Sequence, residues 1–351
     1  MQQLQDDNSE VPCGLGRRIW RVIPKVPGAD TQSQLRDLEM PNEYRKVLAR
    51  GFAKILDERA TATMRAYQHA FLSKRNISNA NVELAEAYHK AVDQDSLRFW
   101  LLLDCSKGYN LLSWNWLKRV LMRARLPDGL LIAIENMVRH GSAVILKFLT
   151  HTCRPLCLRS GLAQGCPLSC VLYVLAVDPF LQYVGEQIAG VGSVIGFCDD
   201  WNVECATVQA VSEVQAAGEE FEQASGQRFN RMKSKILPTR VLQACEAAAV
   251  RGRWRDCPIV TVAKVLGLWI GHGFDASQLG VEIEAKYYER MRLLRMLTAS
   301  WAARIVMLNV FLRSLWSYMN RHQWLPHTLR ARVERRDLDF VTRILTLPAD
   351  S

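Results

Sequence analysis

Asp199 and Asp200 stand side by side between two short β-prone runs, Val194 to Phe197 and Trp201 to Cys205. The period and length of these runs suit a β-hairpin with the two carboxylates at or beside its turn. Neighbouring side chains on a strand point to opposite faces, whereas a turn can aim both at one site. Adjacent carboxylates repel, so keeping them together calls for a cation or a hydrogen-bond donor. Alone, an Asp-Asp pair is most often a solvated turn, because Asp favours such positions. A third carboxylate changes that reading. Phe99-Trp100-Leu101-Leu102-Leu103 is a continuous apolar run ending in Asp104, the pattern of a strand buried on both faces. If that strand end lies beside the hairpin in one sheet, the carboxylates can hold two Mg²⁺ ions. Hard oxygen ligands suit Mg²⁺, which binds through few carboxylates and leaves room for water and substrate phosphates. Two such ions about 4 Å apart would stabilise the attacking and leaving oxygens of an in-line phosphoryl transfer.

The elements that must position these groups follow from the pattern along the chain. Residues 1 to about 30 carry Pro, Gly and Asn without sustained periodicity and are expected to form a loose leading segment. Val47, Leu48, Phe52, Ile55 and Leu56 recur at helical spacing within a helix expected between Asp37 and Arg75. A second helix is expected from Ala80 to Asp93, capped by Asn79 or Asn81. Leu112 to Arg125 and Gly129 to His140 read as helices, and Ala143 to Cys157 as a hairpin. The breaker-rich loop Ser160 to Ser169 feeds an apolar helix from Cys170 to Val184. Val208 to Ser225 is amphipathic and stops at Gly226, and Ile259 to Ile270 reads as two short strands around Gly267. From Lys286 the chain is helical and basic, with 12 Lys or Arg against four acids up to Arg343, a net charge of +8. Trp301, Trp316, Tyr318 and Trp324 lie among these charges and are expected to be core anchors rather than base-stacking platforms.

With 351 residues, 49% of them apolar and 23% charged, the chain is expected to fold into two or three subdomains. A net charge of +10 and a pI near 9.2 favour a polyanionic partner such as nucleic acid. The ten cysteines lack zinc-knuckle spacing; Cys153/Cys157 and Cys166/Cys170 are four apart, and free thiols in a reducing compartment are expected. The opening residues resemble neither a signal nor a transit peptide, and no apolar run reaches the ~18 residues of a spanning helix. A soluble intracellular protein without a membrane partner is therefore expected.

Taken in order, these segments closely resemble the palm motifs of reverse transcriptases, above all those of non-LTR retrotransposons, over roughly residues 40 to 345. Leu103-Asp104-Cys105-Ser106-Lys107-Gly108-Tyr109-Asn110 resembles the first palm motif. The resemblance makes Asp104 a metal ligand and Tyr109 the aromatic that excludes a ribose 2′-hydroxyl. Ser160 to Ser169 resembles the second, in which Gln164 and Gly165 would contact the incoming nucleotide or template and Pro167 would shape the turn. Phe197-Cys198-Asp199-Asp200 stands where the family carries an aromatic, a small residue and two aspartates. Asn230 to Lys235 is similar to the Asn-x-x-Lys-Ser segment, making Lys233 the residue that neutralises or protonates the leaving pyrophosphate. Leu266-Gly267 matches the hairpin that supports the primer. Upstream, Tyr44-Arg45-Lys46-Val47-Leu48 resembles the fingers segment whose arginine holds the triphosphate, and Gln68-His69-Ala70-Phe71 with Arg75 resembles the next.

The resemblance implies an α+β right-hand polymerase. Residues 1–30 would lead, 31–98 and 122–160 would form the fingers, 99–121 and 161–275 a palm of small antiparallel sheet backed by helices, and 276–351 a helical basic thumb. It implies two Mg²⁺ ions at Asp104, Asp199 and Asp200, with Mn²⁺ as a substitute. It also implies an RNA template, a DNA or RNA primer, dNTP substrates and, by family analogy, the nucleus. Four positions depart from the family pattern: Gly108 for alanine, Asn110 for aspartate, Phe197 without the usual hydroxyl, and the bulky Trp201. A copy that has lost catalysis and binds RNA would share these motifs. A palm-fold nucleotide cyclase is disfavoured by the Gln-Gly-x-Pro-x-Ser loop and the basic C-terminal region.

Overall fold

Two strands, Arg18–Pro24 (β1) and Leu35–Pro41 (β2), pair antiparallel from Arg18↔Pro41 to Pro24↔Leu35. The computed structural model describes residues 18–25, 28, 31, 34–139, 143–148, 151–152, 156–297, 299–322 and 327–342. β1 corrects the expectation of a loose segment through residue 30; residues 1–17 lie outside the described residues. Charged Arg18 and Arg21 break the apolar alternation along β1, and the partner that makes Arg18 tolerable inside, Glu39 at 2.6 Å, belongs to β2.

Asn42 caps α1 (Glu43–Thr63) by accepting from the Arg45 amide. Its buried face carries Ala49, Phe52 and Leu56, while Val47 and Ile55, expected inside, are 62% and 41% exposed. α2 (Ile77–Asp93) starts earlier than expected, because Asn76 rather than Asn79 or Asn81 is the cap. β3 (Phe99–Asp104) follows, then a short turn of helix α3 (Gly108–Leu111), α4 (Trp114–Arg123) and α5 (Asp128–Arg139). β4 (Ala143–Phe148) runs parallel to β1 and pairs antiparallel with β5 (His151–Thr152) and β6 (Leu156–Cys157).

α6 (Pro167–Gln187) begins with Pro at its first position, where a missing N–H is tolerated. By length and composition it could cross a membrane, a possibility the sequence reading missed, but 78% of its apolar window is buried inside the protein. β7 (Gly192–Phe197) and β8 (Asp200–Cys205) form the acidic hairpin, and α7 (Val208–Ser225) ends at Gly226 in the left-handed conformation. β9 (Lys235–Pro238) completes a four-stranded antiparallel sheet in the order β7-β8-β3-β9. α6 and α7 back this sheet, and Trp201, fully buried, packs with Phe180, Phe221 and Phe229 between them. The bulk of Trp201 therefore fills the core rather than obstructing the hairpin. The seven cysteines whose side chains are described are free thiols.

After α8 (Ala244–Arg251), β10 (Ala263–Val265) and β11 (Leu268–Ile270) join through Leu266-Gly267, both at positive φ, as a two-residue hairpin requires. The last unit comprises α9 (Ala276–Arg295), α10 (Trp301–Met307), a π-helical turn (Leu308–Arg313), α11 (Ser314–His322) and α12 (His327–Thr342). It has its own core around Tyr287, Leu312 and Phe340. There the buried Asp337 accepts from Tyr287 at 2.6 Å and Arg313 at 3.0 Å. Tyr318 on α11 accepts from Asn81 of α2 and donates to the Leu266 carbonyl. Trp301, expected as a core anchor, is 66% exposed, and Trp324 lies outside the described residues.

Candidate active site

β3 brings the distant carboxylates together. Asp104 pairs directly with Asp200 across the β3–β8 ladder, and Asp199 lies in the turn between β7 and β8. Asp104 and Asp199 open onto a cleft of about 690 Å³. Asp200 lies on the other side, in a recess of about 230 Å³ that also takes Lys235 and Lys264; Asp104 and Lys233 border both spaces. Burial pushes the Asp104 carboxyl above its ordinary range; Lys233 and Lys25 pull it back, and Asp199 pushes it further. The protein packed around Asp200, then Asp199 and Asp104, push its carboxyl up to about 6. Asp200 keeps an exposed face, so this shift says little about stability.

Among the described residues, no three acidic, histidine or cysteine side chains are grouped so that they could hold a metal ion together. The donor set nonetheless fits a hard divalent cation that takes few protein oxygens and fills its shell from water and phosphate. Like charges brought together at a strand end and the adjoining turn provide the electrostatic demand for such an ion.

The segment after α7 supports this strand end. Ser234 Oγ accepts the Asp104 amide at 3.0 Å, and the Asn230 amide donates to the Asp104 carbonyl at 2.8 Å. Asn230 Oδ1 accepts the Lys233 amide at 3.2 Å, building the turn that holds exposed Lys233 at the cleft.

Tyr109 lines the cleft, with its ring stacked on buried Tyr173 at 4.5 Å and 11°. A methyl group at Gly108 would run into the Tyr173 hydroxyl, so this glycine makes room for the ring beneath Tyr109. Asn110 donates to Asp37 at 2.6 Å and accepts from Gln164 at 3.4 Å, tying the second palm loop to β2. Gly165 has φ 110°, and its absent Cβ would meet the Glu39 carbonyl at 2.5 Å. Pro167 opens α6 below this loop.

The two arginines expected to bind substrate lie elsewhere. Arg45 faces inward with Ala49 and Phe52, is 4% exposed, and donates to the Met137 carbonyl. Burial, then repulsion from Arg18, lowers its pKa to about 10. Arg75 donates to the carbonyls of Met64, Arg65 and Gln68 at 2.7–2.9 Å. Helical spacing does mark Arg45's face, but its apolar neighbours indicate burial. Among the described residues, the cations lining the cleft are Lys25, Arg36, Lys107 and Lys233. Lys25 and Arg36 were missed because the β1–β2 hairpin that carries them was missed. Asp37 and Tyr173 were also missed, since nothing local in sequence signals partners 73 and 64 residues away.

Comparison with known proteins bears on the family and fold of the chain. Residues 23–268 match the family described as reverse transcriptase (RNA-dependent DNA polymerase). The chain is 21% identical over 236 residues to the Transposon TX1 uncharacterized 149 kDa protein of Xenopus laevis, covering 65% of this chain and 18% of that protein. Among solved structures, an apo telomerase from Candida tropicalis, truncated from its C-terminal domain, matches with TM-score 0.56 at 9% identity. That match covers 75% of this chain and 54% of the telomerase. A Candida albicans telomerase in complex with a fragment of telomeric RNA matches with TM-score 0.54 at 10% identity, over 94% and 59% of the two chains. At these identities the telomerases share the polymerase fold, and the chain spans little more than half of either. The chain belongs to the reverse transcriptase family.

Proposed function

We propose that the protein is an RNA-directed DNA polymerase, adding dNTPs to the 3′-hydroxyl of a DNA or RNA primer opposite an RNA template. The carrying observation is the Asp104↔Asp200 register with Asp199 in the adjoining turn, opening on a cleft shared with Tyr109, Gln164 and Lys233. Residues 31–98 and 122–160 serve as fingers, 99–121 and 161–275 as palm, and 276–351 as thumb. Asp104 and Asp199 would hold two Mg²⁺ ions, or Mn²⁺ in their place, with Asp200 assisting from the neighbouring recess. When bound, the cations supply charge neutralisation to the phosphoryl transfer.

The chain itself positions and shields. Lys25 and Arg36 take the triphosphate-binding role that the resemblance gives to Arg45. Tyr109, braced by Tyr173, occupies the space a ribose 2′-hydroxyl would need. Gln164, held by Asn110, contacts the incoming nucleotide or its template partner, with Gly165 and Pro167 shaping its loop. Lys233 protonates or neutralises the departing pyrophosphate. Because little covalent chemistry falls to the protein, orientation and preorganised charge carry the rate.

Asp104→Asn and Asp199→Asn are expected to lower RNA-templated primer extension at least ~10³-fold, on the scale of losing preorganised charge stabilisation, while melting behaviour stays close to the parent. Undiminished extension by either variant overturns the mechanism. Salt-sensitive RNA binding without incorporation in Mg²⁺ or Mn²⁺ would instead leave an RNA-binding protein on a polymerase scaffold.

A further inference from the structure

The turn that carries Asp199 draws support from beyond its own hairpin. Cys198 adopts a left-handed backbone, φ 59°, although it is neither Gly, Asn nor Asp. That conformation disfavours an ordinary L-residue by roughly 1 kcal/mol. Within the hairpin, Trp201 Nε1 donates to the Cys198 carbonyl at 2.7 Å; the Cys198 amide is held from outside it. Gln68, 0% exposed, accepts the Cys198 amide at 2.9 Å through Oε1 and donates to the Cys198 carbonyl at 3.3 Å through Nε2. A carboxamide does both at once; a carboxylate or an aliphatic chain cannot.

The segment around Gln68 also lies along β7 like an added strand. The Gly196 amide donates to the Tyr67 carbonyl at 2.6 Å, and the His69 amide to the Gly196 carbonyl at 2.8 Å. A side chain at Gly196 would crowd Leu181 at 2.9 Å and the Tyr67 carbonyl at 3.2 Å. Behind this segment, Arg75 gathers the carbonyls of Met64, Arg65 and Gln68. Few side chains other than arginine can serve three carbonyls from one planar group.

We propose that Gln68 and Arg75 are positioning residues forming a strut from the fingers to the catalytic turn, which fixes Asp199 for metal binding. Arg75 acts through Gln68 and does not touch the nucleotide. The catalytic consequence rests on the polymerase reading above; the mechanical one does not.

The test uses Gln68→Met, which keeps volume and removes both hydrogen bonds, Arg75→Lys, which keeps charge, and the double variant. In metal-free protein, hydrogen exchange at the Cys198 amide should quicken at least ~10-fold in both single variants, because its bond opens locally. Mg²⁺ half-saturation for extension should rise ~10-fold with the dNTP KM changed less than ~2-fold, and the double variant should be no worse than the worse single one. Unchanged exchange at Cys198 overturns the strut. A raised dNTP KM with unaltered Mg²⁺ dependence in Arg75→Lys overturns it too, returning Arg75 to the substrate. If the parent protein extends no primer, the polymerase reading fails while the exchange experiment still decides the strut.

Discussion

At Asn110, where the family resemblance leads one to expect an aspartate, the amide is matched to its neighbours. It gives a proton to Asp37 and accepts one from Gln164. An aspartate here would set two carboxylates face to face and lose a hydrogen bond to a charged group, worth about 1.5–3 kcal/mol. Asn110→Asp should therefore lower unfolding free energy by about that amount in denaturant melts, and Asp37→Asn in the same chain should restore most of it. Absence of rescue would separate Asn110 from Asp37. The departure was legible in the sequence; its reason was not, because Asp37 is distant along the chain. The same holds at Gly108, where a missing methyl accommodates the Tyr173 hydroxyl. Residue types announced the chemistry of Asp104, Asp199 and Asp200, whereas their supports, Gln68, Ser234 and Asn230, were ordinary amides and hydroxyls until the fold gave them partners.

At the level of elements, continuous apolar runs and breaker residues revealed the strand ending in Asp104, the acidic hairpin, α7 with its glycine stop and the Leu266-Gly267 turn. The β1 strand escaped because its burial depends on an ion pair with another strand, and Arg45 misled because a cation on a motif was read without its apolar neighbours. α6 carries a further hidden charge. Asp178 is buried, receives one hydrogen bond from Gln182, and has its other oxygen unpartnered. Burial raises its pKa to about 6, against opposing pulls from Gln182, Arg75 and Arg65. Since the folded value exceeds the ordinary 3.8, the folded form holds the proton more tightly. That stabilisation is complete below about pH 4 and is lost as pH rises through 6. Two units correspond to on the order of 2–3 kcal/mol. Asp178→Asn should thus melt a few degrees above the parent at pH 7.5 and converge with it near pH 4. A constant offset across that range would show that Asp178 is ionised throughout.

For the whole molecule, the +8 charge between Lys286 and Arg343 overstates what the C-terminal helices offer a polyanion. Arg313 is engaged with Asp337, Arg330 with Glu334 and Arg332 with Glu284, and Arg336 lies over the Tyr288 ring at 4.5 Å. Arg292 and Arg295 on α9 remain exposed. Replacing both with Gln should flatten the log–log dependence of RNA affinity on salt by about 1–2 units of slope. An unaltered slope in anisotropy titrations would move the phosphate contacts off α9. Charge excess was legible from composition, but its internal pairing required the packing of α9 against α12. The Tyr318 hydroxyl bridges α2 and the Leu266 turn while belonging to α11. Any displacement of α11 must either carry that turn along or break the bond. On the polymerase reading proposed above, a product duplex that shifts α11 would tug on that turn, so passage of product and steadiness at the point of synthesis would share one mechanical linkage.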